Sequence, residues 1–164
     1  MKKWIIFLDI DGVLNMLQLL HKKIPMVESR IDHHDNCLSQ PHIKLLNQLV
    51  IDINADVVLS SSWRILYTIE EINILLQRHG ATFTVIDRTD NLPYERGTEI
   101  SKWIKDNVED MFGVEYYDFH NYIIIDDESD MLLKQREHFF QPDPHVGLTP
   151  STCHRIKRFV KRFG

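Results

Sequence analysis

Acidic residues follow two apolar segments of the chain, and carboxylates in such positions are candidates for catalysis or metal binding. Asp9 and Asp11 follow an apolar pentapeptide, and Asp126 and Asp127 follow an apolar tetrapeptide. Carboxylates that lie close together repel one another and raise each other's pKa unless a cation lies between them. Mg²⁺ suits such a site, because it binds one or two carboxylates and leaves positions for phosphate oxygens. A carboxylate can also accept a phosphoryl group as a nucleophile, while a second one moves the proton of the leaving group.

A cluster of hydroxyl groups follows another apolar run. Ser60, Ser61 and Ser62 come directly after it, and Arg64 lies two residues further on. Hydroxyl and guanidinium groups donate hydrogen bonds, so this segment can add polar groups to a site formed with the acidic residues. Ser62 and Trp63 are interpreted instead as the start of a helix and as a packing group.

Continuous apolar runs recur along the chain with helical patterns between them, which is typical of strands covered on both faces in a parallel sheet. The expected strands are Trp4–Leu8, Ala55–Leu59, Thr82–Ile86 and Tyr122–Ile125, with a weaker fifth strand at Phe139–Phe140 or His145–Val146. Ligand sites in open parallel sheets form at the carboxyl ends of the strands. The three polar clusters should therefore meet at that edge of the sheet.

Helical patterns separate the expected strands. The expected helices are Pro41–Ile53, a helix that begins with the capping box of Thr68 and Glu71 and runs through Leu76, Thr98–Val108, Asp130–His138, and a last helix that begins at Thr149 and Pro150. This alternation predicts a three-layer α/β fold with a mostly parallel central sheet, in which residues 1–164 form a single domain. Residues 15–40 are too long for a simple connection and are interpreted as a small lid.

The composition restricts the class of protein. The chain has 164 residues, of which 43% are hydrophobic, and this is enough for one buried core. The net charge of −5 excludes a surface that is electropositive throughout. Positive charge is nevertheless concentrated after residue 148, in Arg155, Lys157, Arg158, Lys161 and Arg162. Such a face is usually only solvated; the alternative is that it contacts the phosphates of a nucleic acid.

The sequence predicts neither a membrane protein nor a secreted one. It contains no run of about 18 apolar residues. Asp9 ends the first apolar run after five residues, so this run is interpreted as a buried strand and not as a signal peptide. Cys37 and Cys153 lie in no CxxC motif, which argues against a disulfide scaffold or a zinc cluster. A cytoplasmic location fits these observations best.

The order of the motifs resembles the haloacid-dehalogenase (HAD) superfamily of phosphatases. The segment Asp9–Asn15, a serine after the second strand, an arginine upstream of the fourth strand, and Asp126 with Asp127 are similar to its four motifs. More narrowly, residues 59–64, 96–103, 125–128 and 147–149 resemble the small HAD domains associated with RNA-repair proteins, which are related to the phosphatase domain of polynucleotide kinase-phosphatases. The resemblance implies a Rossmann-like HAD fold without a large cap domain.

The resemblance also implies a role for each acidic motif residue. Asp9 would be the nucleophile and a Mg²⁺ ligand. Asp11 would be the general acid and base, and would also offer its backbone carbonyl to the metal. Asp126 would be a direct metal ligand, with Asp127 in the metal site or next to it.

The phosphate-binding residues are implied less uniquely. Ser61 is favoured over Ser60 as the phosphate-binding hydroxyl, and Arg96 is favoured over Lys102 as the cation that stabilises the phosphoryl group. Substrate binding is also expected of Ser60, Arg64 and Gly12.

The leading hypothesis is a Mg²⁺-dependent phosphomonoesterase that acts through an aspartyl-phosphate, with a polynucleotide end as its substrate. The absence of a large cap would leave the site open, which favours a phosphate on a large molecule. The first alternative is a small-molecule or nucleotide phosphatase that uses the same site. The second is a two-metal nuclease that uses Asp9, Asp11, Asp126 and Asp127 as ligands. A phosphorylatable receiver fits poorly, because it would have a lone phospho-acceptor after a middle strand, and this chain does not have that order.

Overall fold

Five parallel strands form the centre of the protein, whose computed structural model describes residues 2–16 and 37–163. The strands are β1 (Trp4–Leu8), β2 (Ala55–Leu59), β3 (Val85–Arg88), β4 (Tyr122–Ile125) and β5 (Phe139–Phe140). Their order in the sheet is β3-β2-β1-β4-β5, and every neighbouring pair is parallel. Leu8 at the end of β1 pairs with Leu59 of β2 and Ile125 of β4. The segments that follow these three strands therefore start side by side.

Helices cover both faces of the sheet. They are α1 (Gln40–Ile53), α2 (Trp63–Leu66), α3 (Ile69–Arg78), α4 (Arg96–Phe112) and α5 (Pro150–Phe163), with 3₁₀ helices at Tyr116–Asp118 and Leu133–His138. Apolar residues of α1, α3 and α5 pack against one face of the sheet, and those of α4 pack against the other. The three-layer α/β fold that the sequence predicts is confirmed.

All five residues of β1 are buried, because the strand alternates between two cores. Trp4, Ile6 and Leu8 belong to the core under α1, α3 and α5, while Ile5 and Phe7 belong to the core under α4. This explains why β1 is continuously apolar and not alternating.

Of the four main expected strands, the first, second and fourth have the predicted bounds, and the third does not. The structure places β3 at Val85–Arg88 instead of Thr82–Ile86. The backbone N–H of Thr82 donates to the side-chain oxygen of Asn47 at 2.9 Å, so this residue does not enter the sheet. The fifth strand forms at Phe139–Phe140, whereas His145–Val146 lies in a turn.

The capping box of Thr68 and Glu71 is confirmed at the start of α3. The predicted helix Asp130–His138 is wrong, because only a 3₁₀ helix forms there, at Leu133–His138. The Gln135 side chain accepts from the N–H of Leu132 at 2.9 Å and donates to the carbonyl of Gly97 at 2.8 Å. These bonds hold the segment against the start of α4, which begins two residues earlier than predicted.

The predicted lid at residues 15–40 lies mostly outside the described residues. At its two described ends, the backbone N–H of Ser39 donates to the carbonyl of Leu14 at 2.9 Å. The described residues on the two sides of this segment are therefore neighbours in the fold. Within the described ranges, no helix is both long enough and apolar enough to cross a membrane.

Candidate active site

Asp9 extends the pairing of β1 by one residue, because its backbone N–H donates to the carbonyl of Ile125 at 3.0 Å. Its carboxyl group is buried and accepts hydrogen bonds from the Arg96 guanidinium at 3.0 Å and from the Ser61 hydroxyl. Burial raises the pKa of Asp9, while Arg96 and Ser61 oppose this increase. The central strand therefore ends in a carboxylate with two donors already directed at it.

Asp126 and Asp127 follow β4 and meet Asp9 across the β1–β4 pair. One carboxylate oxygen from each of the three residues lies within 4.8 Å of the other two. Burial raises the pKa of Asp126 to about 8 and that of Asp127 to about 6, and the negative charge of the neighbouring Asp9 is the second cause of both increases. Three crowded carboxylates are suitable ligands for a hard divalent cation, because such a cation prefers oxygen ligands and its charge offsets the repulsion between the carboxylates.

Arg96 supplies the positive charge beside this acidic cluster. Its Nη1 atom lies 3.0 Å from Oδ1 of Asp9 and 3.0 Å from Oδ2 of Asp126. Lys102, the alternative cation, forms surface ion pairs with Asp90 at 2.9 Å and with Asp106. The structure thus brings Arg96 to the carboxylates and places Lys102 elsewhere.

The position of Arg96 depends on contacts between α4 and the segment after β4. The backbone N–H of Arg96 donates to the Asp130 carboxylate at 3.0 Å, and that of Gly97 donates to the Asp130 carbonyl at 3.1 Å. A Cβ atom on Gly97 would lie 2.4 Å from the backbone nitrogen of Leu132. Glycine at this position therefore allows the two segments to approach and directs Arg96 toward the acidic cluster.

The Asp11 side chain is not part of the cluster of three carboxylates and is held by two other residues. The Asn15 amide donates to Oδ1 of Asp11 at 2.8 Å, and the Trp63 indole N–H donates to Oδ2 at 3.0 Å. Asn15 also accepts from the backbone N–H of Gly12 at 2.9 Å. Sequence reasoning treated Trp63 as a packing group and gave Asn15 no role. A buried indole N–H usually has a hydrogen-bond partner, and this rule predicts a polar contact for Trp63.

A glycine is required at position 12 because of its backbone conformation and because Asp127 lies close to it. The φ of Gly12, +70°, lies in the left-handed region, and a Cβ atom there would lie 2.6 Å from Cγ of Asp127. A side chain would both strain the backbone and displace Asp127. Direct binding of substrate by Gly12 stays a prediction.

Ser60 and Ser61 have different surroundings. The Ser61 hydroxyl reaches Asp9, whereas the Ser60 hydroxyl is buried and has no hydrogen-bond partner among residues 2–16 and 37–163. The backbone N–H of Ser60 donates to the carbonyl of Leu8 at 2.9 Å, so Ser60 continues the sheet pairing. Of the two candidates, the structure places Ser61 in contact with Asp9; binding of phosphate by either serine stays a prediction.

Arg64 forms a buried ion pair beside the site. Its Nη2 atom lies 2.5 Å from the Glu99 carboxylate, and its Nη1 atom donates to the carbonyl of Ser60 at 2.5 Å. Burial lowers the pKa of Arg64, while Glu99 opposes the decrease. Both terminal nitrogens are thus engaged by the protein, and the pair ties the segment after β2 to α4. The expected contact of Arg64 with substrate stays a prediction.

The parallel sheet, the acidic cluster at the ends of β1 and β4, and the cation from α4 define a HAD-type domain. The chain matches the family model described as the HAD domain in Swiss Army Knife RNA repair proteins over residues 5–153, and it belongs to this family. The resemblance recognised in the sequence is therefore confirmed. Neither the curated proteins nor the solved structures gave a match to the chain.

Proposed function

We propose that the protein is a Mg²⁺-dependent phosphomonoesterase that acts through an aspartyl-phosphate on Asp9. The observation that carries the proposal is the contact of one buried carboxylate with both Arg96 and Ser61, next to two further carboxylates. A phosphoryl group at Asp9 would meet a guanidinium and a hydroxyl as donors to its oxygens.

Asp9, Asp126 and Asp127 are the side chains that would hold Mg²⁺, and the backbone carbonyl of Asp11 would be a further ligand. When bound, the ion would neutralise the carboxylates and the developing charge on the phosphoryl oxygens. The crowding of three oxygens within 4.8 Å supports this assignment.

The reaction would proceed in two displacements. An oxygen of Asp9 attacks phosphorus, the bond from phosphorus to the leaving oxygen breaks, and Asp11 gives its proton to that oxygen. Water then attacks the phosphorus of the aspartyl-phosphate and transfers a proton to the Asp11 carboxylate. The bond from phosphorus to Asp9 breaks, so inorganic phosphate is released and both aspartates regain their starting states.

The position of Asp11 favours this mechanism over a two-metal nuclease. A nuclease of that kind would use the side chains of all four aspartates as metal ligands. The oxygens of Asp11 instead accept from Asn15 and Trp63, outside the cluster of three carboxylates. This arrangement leaves Asp11 beside the cluster, where a residue that transfers protons is needed.

A phosphorylated polynucleotide end is the substrate that we propose. The family description associates these domains with RNA repair. A small-molecule or nucleotide phosphatase at the same site is the alternative. Oligonucleotides should be hydrolysed faster than the matching mononucleotides at low salt, and this advantage should decrease as salt rises. Equal rates at all salt concentrations would favour the alternative.

The test is phosphate release from p-nitrophenyl phosphate, mononucleotides, and 3′- and 5′-phosphorylated oligonucleotides, with Mg²⁺ and with EDTA. Asp9→Asn should abolish turnover while the protein stays folded, whereas the exposed Asp90→Asn should retain it. Arg96→Met should lose activity and Lys102→Met should keep it. Undiminished turnover by Asp9→Asn would overturn the covalent mechanism.

A further inference from the structure

A groove at the β5 edge of the sheet has four arginines in its wall. They are Arg136 from the 3₁₀ helix before β5, and Arg155, Arg158 and Arg162 from α5. The groove has a volume of about 390 Å³ and is called the arginine groove below. Glu137 is the one acidic residue among the groove-lining residues of the described chain. This is a concentrated positive surface on a chain whose net charge is −5.

The arginines of the groove are available for a ligand. All four side chains are exposed, and none forms an ion pair within the part of the chain that the structure describes. The lysines of α5 differ, because Lys157 binds Asp52 at 3.0 Å and lines another cavity together with Lys161. The basic residues of α5 therefore form two separate stripes, and only the arginine stripe faces the groove.

Aromatic rings lie among the arginines. Phe139 and Phe159 are half-buried and line the groove, so they are the rings that an unstacked base could contact. Phe140 is buried beneath them, and the guanidinium of Arg155 lies 5.6 Å from the centre of its ring. Cations beside aromatic rings are the combination that binds single-stranded nucleic acid, because phosphates contact the cations and unstacked bases stack on the rings. A duplex offers phosphates but keeps its bases stacked internally.

The arginine groove continues toward the acidic cluster. A neighbouring cavity shares Arg136 and Phe139 with it and extends to Gln141. The Gln141 side chain donates to the backbone carbonyl of Asp127 at 2.7 Å. The two cavities therefore adjoin at Arg136 and Phe139, and the second one lies beside the segment after β4, which carries two of the candidate metal ligands.

We propose that the arginine groove binds the sugar-phosphate backbone of a single-stranded polynucleotide whose phosphorylated end lies at Asp9. The inference rests on the proposed function and adds to it the route of the substrate strand. Arg155, Arg158 and Arg162 lie beyond residue 153, where the match to the family model ends. These three arginines are therefore not part of the segment that matches the family.

The test compares two charge reversals on the same helix. A labelled single-stranded RNA of about 12 nucleotides, with a terminal phosphate, is titrated with protein in EDTA at about 50 to 200 mM salt. Arg158→Glu should weaken binding about tenfold at the lowest salt and should lower the slope of log K against log salt by about 1. Lys161→Glu makes the same change in net charge one turn away, outside the groove, and should weaken binding less than about twofold. Arg162→Glu, on the groove, should repeat the effect of Arg158→Glu.

Equal weakening by Arg158→Glu and Lys161→Glu would overturn the inference, because only net charge would then matter. Equal affinity for a duplex of the same length would overturn the assignment to single strands. Circular dichroism melts of each variant separate lost binding from lost folding. Hydrolysis of p-nitrophenyl phosphate by the unmodified protein tests the proposed function independently. If this hydrolysis occurs and the two charge reversals weaken binding equally, the proposal for the arginine groove is wrong and the proposed phosphatase activity is supported. If hydrolysis does not occur and only the groove variants lose binding, the proposed phosphatase activity is wrong and the proposal for the groove is supported.

Discussion

The indole N–H of Trp63 donates to Oδ2 of Asp11 at 3.0 Å and joins the first residue of α2 to the segment after β1. Asn15 holds the other carboxylate oxygen of Asp11, so the side chain is fixed from two sides. A group that transfers protons has to lie within hydrogen-bond reach of the leaving oxygen. Trp63 is therefore a positioning residue for Asp11 in the mechanism proposed above.

Trp63→Phe should impair the acid step while preserving the core, because it removes the indole N–H and keeps an aromatic ring. We expect turnover of alkyl phosphates to fall about tenfold, which is part of the roughly 100- to 10,000-fold that acid catalysis contributes, and turnover of aryl phosphates to fall less. The measurement is kcat for both substrate types. Trp103→Phe is the matched control, since its indole N–H donates to Asp87 at 2.6 Å, away from Asp11. An equal loss on both substrate types would exclude the positioning role.

Glu99→Gln should destabilise the protein strongly. It keeps the shape of the side chain but leaves the Arg64 guanidinium, which is 5% exposed, without its counter-charge. Breaking a buried ion pair costs about 3 to 5 kcal/mol of unfolding free energy. The control is Asp106→Asn, which breaks an exposed pair with Lys102 and should change the stability little. Urea denaturation measures both values, and similar losses in the two variants would contradict the prediction.

Most of the strands were predictable because a strand that is buried on both faces consists mainly of apolar residues. β1 and β4 are covered on both faces, so each one is an uninterrupted apolar run with polar residues directly after it. β2 is interrupted only by the half-buried Asp56 near its start. β3 is covered differently, because Ile86 is exposed and Asp87 is half-buried, and its bounds were missed by three residues at the start and two at the end. Its start is set by the Asn47 side chain, which lies 35 residues away in the sequence.

The site was predictable where its residues directly follow strands. Asp9, Ser61 and Asp126 could be placed together from the parallel topology alone, since Leu8 pairs with both Leu59 and Ile125. Trp63 could not be assigned to Asp11 in the same way. That contact depends on how α2 turns back over the segment after β1, and periodicity contains no information about this turn.

Mg²⁺ should stabilise the folded protein, and Asp126→Asn should abolish the effect. An ion that binds only the folded state at about 100 times its Kd adds about 2.7 kcal/mol to the unfolding free energy. In EDTA, Asp126→Asn should be at least as stable as the unmodified protein, because it removes one of three crowded carboxylates. Thermal melts with and without Mg²⁺ measure this. Asp52→Asn, on the surface, should keep the full Mg²⁺ shift, and no shift in the unmodified protein would count against the metal site.

His138 should make the protein less stable as the pH falls. Burial lowers its pKa below the ordinary value of 6.5, while its Nδ1 atom bonds the Tyr122 carbonyl at 3.0 Å and its ring stacks on Tyr122. Among its charged neighbours, His120 lowers this pKa and Glu137 raises it. Above pH 6.5 the His138 side chain is neutral in both the folded and the unfolded state. Below pH 6.5 the unfolded chain takes up a proton first, so the stability that the neutral His138 contributes to the folded state is lost as the pH falls toward the folded-state pKa. His138→Phe keeps the ring and removes the titration, so its unfolding free energy should fall less than that of the unmodified protein between about pH 7.5 and 5.5. Urea denaturation at each pH measures both proteins, and an identical pH dependence in His138→Phe would refute the assignment.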